Sequence, residues 1–130
     1  MAEMSDYLEN AMLNLTLNGT AFTAISTPYV SLHTADPTDA GTGTEVSGGS
    51  YARTSASFAT ASGTGGSVAT DADITFPTAT GSWGTVTHIG IWDASSTGNL
   101  LYYTALDASK TIDSGDIFKI TSGNLTVTLA

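Results

Sequence analysis

Two runs, TVTHIGIWD (Thr85 to Asp93) and LLYYTAL (Leu100 to Leu106), constrain the fold more than any other part of the sequence. Read at a period of two, both are apolar on both faces: Ile89 and Ile91 fall on one side of the first run, Val86 and Trp92 on the other. A strand at a sheet surface alternates apolar with polar, so a two-sided strand must be covered twice. The link ASSTGN is rich in turn formers. The pair therefore predicts a central hairpin with something packed on each of its faces.

Shorter period-two stretches surround it. Tyr29 to Thr34 places Val30 and Leu32 on one side, and Tyr51 to Ala59 places Ala52, Thr54, Ala56 and Phe58 on one side. Ile74 and Phe76 end at Pro77, Lys110 to Ile112 and Ile117 to Ile120 flank the turn DSGD, and Leu125, Val127 and Leu129 alternate with threonines. About eight short strands at this spacing predict an all-β, jelly-roll-like β-sandwich. The 130 residues are enough for one domain with one core. Apolar residues are 41% and charged residues only 12%; Thr, Ser, Gly and Ala fill the difference, which suits strands and dense turns.

One segment departs from the period of two. In SDYLENAMLNLTLNG the apolar residues Leu8, Ala11, Met12 and Leu15 recur at helical spacing. Ser5 or Asp6 offers a cap, Asp6 and Glu9 suit the positive end of the dipole, and Asn18-Gly19 offers a stop. The prediction is a short helix over 6–17 whose stripe must pack on its own sheet or on a neighbouring subunit.

Between Thr34 and Tyr51 lies ADPTDAGTGTEVSGGS, acidic, glycine-rich and nearly without apolar side chains. No independent domain precedes it, so residues 35–50 read as a long inter-strand loop, and loops of this length carry function or move. Asp36, Asp39 and Glu45 could bind Ca²⁺, but the spacing of a helix-loop-helix calcium site is absent, and turn formation by Asp36-Pro37 and Asp39 is the simpler role. Asp71 and Asp73 read as solvated turn acids. His33 and His88 could hold zinc only if they converged. No serine sits in a nucleophile elbow, and the glycines near Gly63 lack a phosphate loop's lysine and helix. No catalytic residue, cofactor or metal site is assigned, and the chain reads as a non-enzyme.

The net charge is −9 with three cations, Arg53, Lys110 and Lys119. Binding to phosphate backbones or anionic lipid needs clustered Lys and Arg, so nucleic acid and membrane are not expected partners. Without cysteine there is neither disulfide nor thiolate chemistry, which favours assembly in the cytoplasm. The opening MAEMSDYLEN lacks the basic and apolar regions of a signal peptide. Among the aromatics, Trp83 in GSWG is the expected exposed or interface ring; a carbohydrate-binding module would use such rings as a platform.

Taken together, MSDYLENAMLN, ADPTDAGTGTEVSGGSYAR, FPTATGSWGTVTHIGI and KTIDSGDIFKITSGNLTVTL resemble small structural proteins of tailed bacteriophages, tail-fibre-like or capsid cement in kind. The resemblance implies a virion component without enzymatic activity. It implies, first, a capsid decoration protein that binds the major capsid protein as a homo-oligomer, with a trimer favoured. The alternatives are a tail component of tube, tip or fibre, or a carbohydrate-binding adsorption module. The expected assembly residues are Leu8, Met12 and Leu15 on the helix, Asp36, Pro37, Asp39 and Glu45 in the loop, and Trp83. On this reading the loop is mobile alone and ordered by a partner.

Overall fold

A computed structural model describes residues 2–129. Its centre is the expected hairpin, β6 (Gly84–Trp92) against β7 (Leu100–Ile112), antiparallel from Trp92 opposite Leu100 to Gly84 opposite Ile112. β2 (Tyr29–His33) lies on the other edge of β6, followed by β3 (Thr54–Ser55), while β1 (Glu3–Met4) adds to β7. The sheet order is β1-β7-β6-β2-β3. Two small antiparallel ladders complete the strands: β4 (Ser67–Ala69) with β9 (Thr126–Thr128), and β5 (Ile74–Thr75) with β8 (Lys119–Ile120). The chain is thus all-β with one helix.

That helix, α1, spans Asp6–Leu17. The Ser5 hydroxyl caps it by accepting from Leu8 N at 3.2 Å, and the Asn18 N–H closes its end on the Asn14 carbonyl. Ser5 is itself fixed, its N–H donating to Leu101 O and its hydroxyl to Leu100 O, so the helix start is riveted to the start of β7.

Strand pairing sorts the central side chains into two faces, because residues directly opposite one another point the same way. Val30, Leu32, Ile89 and Ile91 share one face. They belong to the main core with Ile74, Phe76, Trp83, Phe118, Leu125 and Val127, so the two small ladders and their flanks form its cover. Ser31, His33, Gly90 and Trp92 point the other way, and there Trp92, Leu100 and Tyr103 form a separate small cluster. The hairpin is covered twice, as its sequence requires.

Three details differ from the sequence reading. Lys110 to Ile112 is not a separate strand: β7 runs through to Ile112, with Leu106 to Ser109 bulging opposite Thr87 alone. After the DSGD turn the chain does not fold back on β7; Phe118 and Asp116 carbonyls receive Phe76 and Ala79 N–H groups instead. The expected strand from Tyr51 to Ala59 shrinks to two residues plus a bridge from Phe58 to Thr70.

Candidate functional site

The acidic loop is the first place to look, and its structure follows from short-range chemistry. Asp36 Oδ1 accepts from Thr38 N at 2.8 Å, a local Asp turn. The Pro37 carbonyl accepts from Thr42 N and Gly43 N, which rolls residues 37–43 into a compact arch. Pro37 itself is fully buried. Further on, Thr34 N donates to Thr44 O and Val46 N to Leu32 O, so the returning arm pairs with the end of β2. The backbone at Gly41 passes against Leu100 and Trp92. Asp39 accepts from the Tyr103 hydroxyl through its carboxylate and from Asp6 N through its carbonyl. The loop is therefore the lid of the second sheet face. These bonds fasten it within the chain.

Beneath the lid runs a continuous polar network. The Trp92 indole N–H donates to Ser31 Oγ at 2.7 Å, and Ser31 Oγ lies 2.7 Å from His33 Nε2. An indole nitrogen can only donate, so the serine oxygen accepts there and sends its own proton on. The Gly90 carbonyl, at 3.4 Å, is the poorer acceptor, which assigns that proton to His33 Nε2 and leaves the ring's hydrogen on Nδ1. His33 Nδ1 is buried without a hydrogen-bond partner of good geometry, although the Gly43 carbonyl is near enough to pull on its proton. Burial holds the His33 imidazole below its ordinary value; nearby Glu45 opposes that and Arg53 reinforces it. Gly90 is required here: a Cβ would stand 2.8 Å from Ser31 Oγ and 2.9 Å from Trp92 Nε1.

Arg53 ties the network to its surroundings. Its guanidinium grips Glu45 in a fork, at 2.9 Å from Nε and 2.8 Å from Nη2. Nη1 donates to the Ala94 and Thr97 carbonyls at 3.1 and 2.8 Å, holding the β6–β7 turn. The same group lies 3.9 Å over the Trp92 ring. Tyr51 OH donates to Glu45 Oε2 at 2.7 Å and accepts from Leu32 N at 3.0 Å. Burial pushes the Glu45 carboxyl up, but the bonds from Arg53 and Tyr51 and the arginine's charge outweigh it, leaving it below its ordinary value. Burial, helped by Glu45, pushes the Tyr51 phenol far up, so it stays a neutral donor.

The residues picked out in the sequence scatter. Asp36, Asp39 and Glu45 turn to three different partners: Thr38, Tyr103 and Arg53. Asp73 accepts from Ser122 N and pairs with Lys119. His33 and His88 do sit directly opposite one another on β2 and β6, but His33 bonds Ser31 and His88 Nδ1 bonds Thr87 Oγ1. Among the described residues no three His, Cys, Asp or Glu side chains group around a point that could hold a metal. The Ser31–His33 pair has a hydrogen-bonded nucleophile and base, yet both residues are fully buried, so a substrate has no path to them.

Trp83 corrects the expectation of an exposed ring. It is 4% exposed, stands edge-on to Tyr51 at 5.4 Å, and donates to the Gly49 carbonyl at 2.9 Å. The indole closes so tightly on Gly49 (φ 58°) that a Cβ there would stand 2.9 Å from Nε1. Pro37 is likewise a packed residue of the lid, and Leu8 lies in the chain's own core, so neither is presented to a neighbour. Met12 is half-buried against that core, and Leu15 is 43% exposed. The helix does keep an unpartnered apolar side, with Leu13 and Leu17 56% and 80% exposed. Arg53 and Tyr51 were missed as organising residues. The available signal was scarcity: one of three cations in a chain of 12 acids is there for a partner.

Comparison with known proteins adds one match. The model of the family described as podophage GP4 fiber I protein gp80 covers residues 3–128. No curated protein matches the chain.

Proposed function

The chain belongs to that podophage fibre-protein family and is thus a tail-fibre-like structural component of a phage virion, assembled with other virion proteins; from this premise we propose that it is a fibre-associated subunit. The carrying observation is the match itself, which spans 126 of the 130 positions, from 3 to 128, and whose description names a fibre. Capsid decoration, the first expectation from the sequence, drew on a long loop reaching to a neighbour and on a helix stripe free to dock. With the loop fastened as a lid, the first of these supports weakens; the helix keeps an exposed apolar side that suits either location in the virion.

The physical features suit a passive, rigid part. Each sheet face is closed, one by apolar ladders and one by a hydrogen-bonded lid, so shape is held without a partner. The polar groups beneath the lid bond one another, and the pair Ser31–His33 serves packing.

The test is to separate tails from heads in disrupted particles and count copies by quantitative mass spectrometry. A fibre-associated subunit is expected with the tail fraction, in a number that matches the appendages. Retention on heads, at a copy number comparable to the major capsid protein, would overturn the proposal in favour of decoration.

A further inference from the structure

We propose that the groove between α1 and the β1–β9 end of the molecule docks a basic, amphipathic segment of another virion protein. This rests on the chain being a virion component. The groove holds about 610 Å³. Half-buried Met4 and Met12 lie in it beside Leu13 and Leu129, which are 56% and 46% exposed. Leu17, 80% exposed, continues the apolar side one helical turn on. Methionine side chains adapt to varied apolar shapes, which suits an inserted segment. Leucines this exposed on a short helix are costly to leave in water and are the anchors such a segment would cover.

Charge decides the occupant. Exposed Glu3, Glu9 and Asp39 also line the groove, and among the described residues no Lys or Arg does. Glu3 and Asp39 both lie within hydrogen-bond reach of the Tyr103 hydroxyl, whose single proton serves one of them at a time, and both keep further lone pairs outward. A second copy of this chain is a poor fit. Its net charge is −9; Arg53 is committed to Glu45 and Lys119 to Asp73, leaving Lys110. Two such grooves face to face would oppose carboxylates with carboxylates. A segment with leucine-like anchors flanked by Lys or Arg satisfies both the apolar surface and the acids.

The experiment complements a phage lacking the gene with variants and counts their copies per particle. Leu13→Asp and Glu9→Lys are expected to cut incorporation at least tenfold. Ile117→Asp alters a side chain of equal exposure, 56%, away from the groove, and is expected to stay within twofold of the parent. Melting curves of the purified variants establish that all three fold. A parent chain absent from particles would sink the virion reading itself; a parent chain present, with Leu13→Asp incorporated equally, would sink the groove alone. The partner's chemistry is read with a labelled peptide of leucine and lysine at helical spacing, and its leucine–glutamate counterpart. The basic peptide should bind the parent and Ile117→Asp alike and Leu13→Asp at least tenfold more weakly. Equal binding by the two Asp variants, or self-association of the parent lost in Leu13→Asp, would overturn the proposal.

Discussion

The two faces of the β2–β6–β7 sheet are closed by different means. On one, Val30, Leu32, Ile89 and Ile91 meet Phe76, Phe118, Leu125 and Val127, and closure is a matter of apolar area and fit. On the other, Ser31, His33 and Trp92 lie under a loop with almost no apolar side chains, and closure depends on directed bonds from Arg53, Tyr51 and Asp39. The apolar face gains by burying surface and tolerates exchange among shapes of similar volume. The polar face gains little net energy per bond, yet loses much when one partner is removed, because the group left behind stays buried and unpaired. The first supplies stability; the second specifies where one particular loop must lie.

That contrast predicts unequal mutational profiles. The largest loss belongs to the apolar face. Phe76 is 2% exposed, stacks on Tyr51 and meets Phe118 edge-on. Phe76→Ala should cost about 3–5 kcal/mol in urea unfolding, while Phe76→Leu should cost much less. If the two substitutions cost the same, fit rather than volume governs that core and the contrast between the faces fails.

On the polar face the expected order reverses, with a conservative change hurting nearly as much as truncation. Arg53→Ala strips Glu45 of its fork, frees the β6–β7 turn and uncovers Trp92, and should cost roughly 3 kcal/mol. Arg53→Lys keeps the charge but cannot make the fork and both carbonyl bonds at once, so it should recover less than half of that loss. Hydrogen exchange should show residues 37–46 opening in both variants while β6 amides stay protected. Rescue by lysine would reduce the network to simple charge pairing.

What the sequence made legible follows the same division. The apolar face announced itself through the period-two runs in β2, β6 and β7, and α1 through its spacing and its Ser5 cap. Local rules were enough for both. The polar face was not legible, because its bonds join residues far apart in the chain: Arg53 to Thr97, Trp92 to Ser31, Tyr103 to Asp39. Composition could mark the loop as polar, but a polar loop and a polar lid have the same residues. Trp83 failed for a related reason. Its setting in GSWG suggested exposure, whereas a glycine far away in the chain, Gly49, brings its backbone close enough to accept the indole proton. The short ladders β4–β9 and β5–β8 pair residues dozens of positions apart, which no local pattern encodes.

The smallest expected effect is the one most specific to the polar face: its response to acid. His33 takes a proton less readily folded than unfolded, because burial disfavours the imidazolium, with Arg53 and His88 adding to this while Glu45 and the Gly43 carbonyl oppose it. Below the ordinary histidine value of about 6.5, the unfolded chain binds the proton first, so stability falls as the pH falls, by at most about 1.4 kcal/mol per pH unit for this one group. Glu45 acts further down: its folded value lies below its unfolded one, so its contribution is complete above the ordinary glutamate range and is lost as pH drops through the folded value. Urea unfolding of the parent and His33→Phe across pH 7.5 to 4 separates the two. The variant is expected to start less stable, since Ser31 loses its better acceptor, and to show a flatter profile between pH 6.5 and 5 with the lower decline kept. A parent profile that rises on acidification through the histidine range would mean that Glu45 outweighs burial at His33, and the lid would then be an electrostatic clamp instead of a desolvated one.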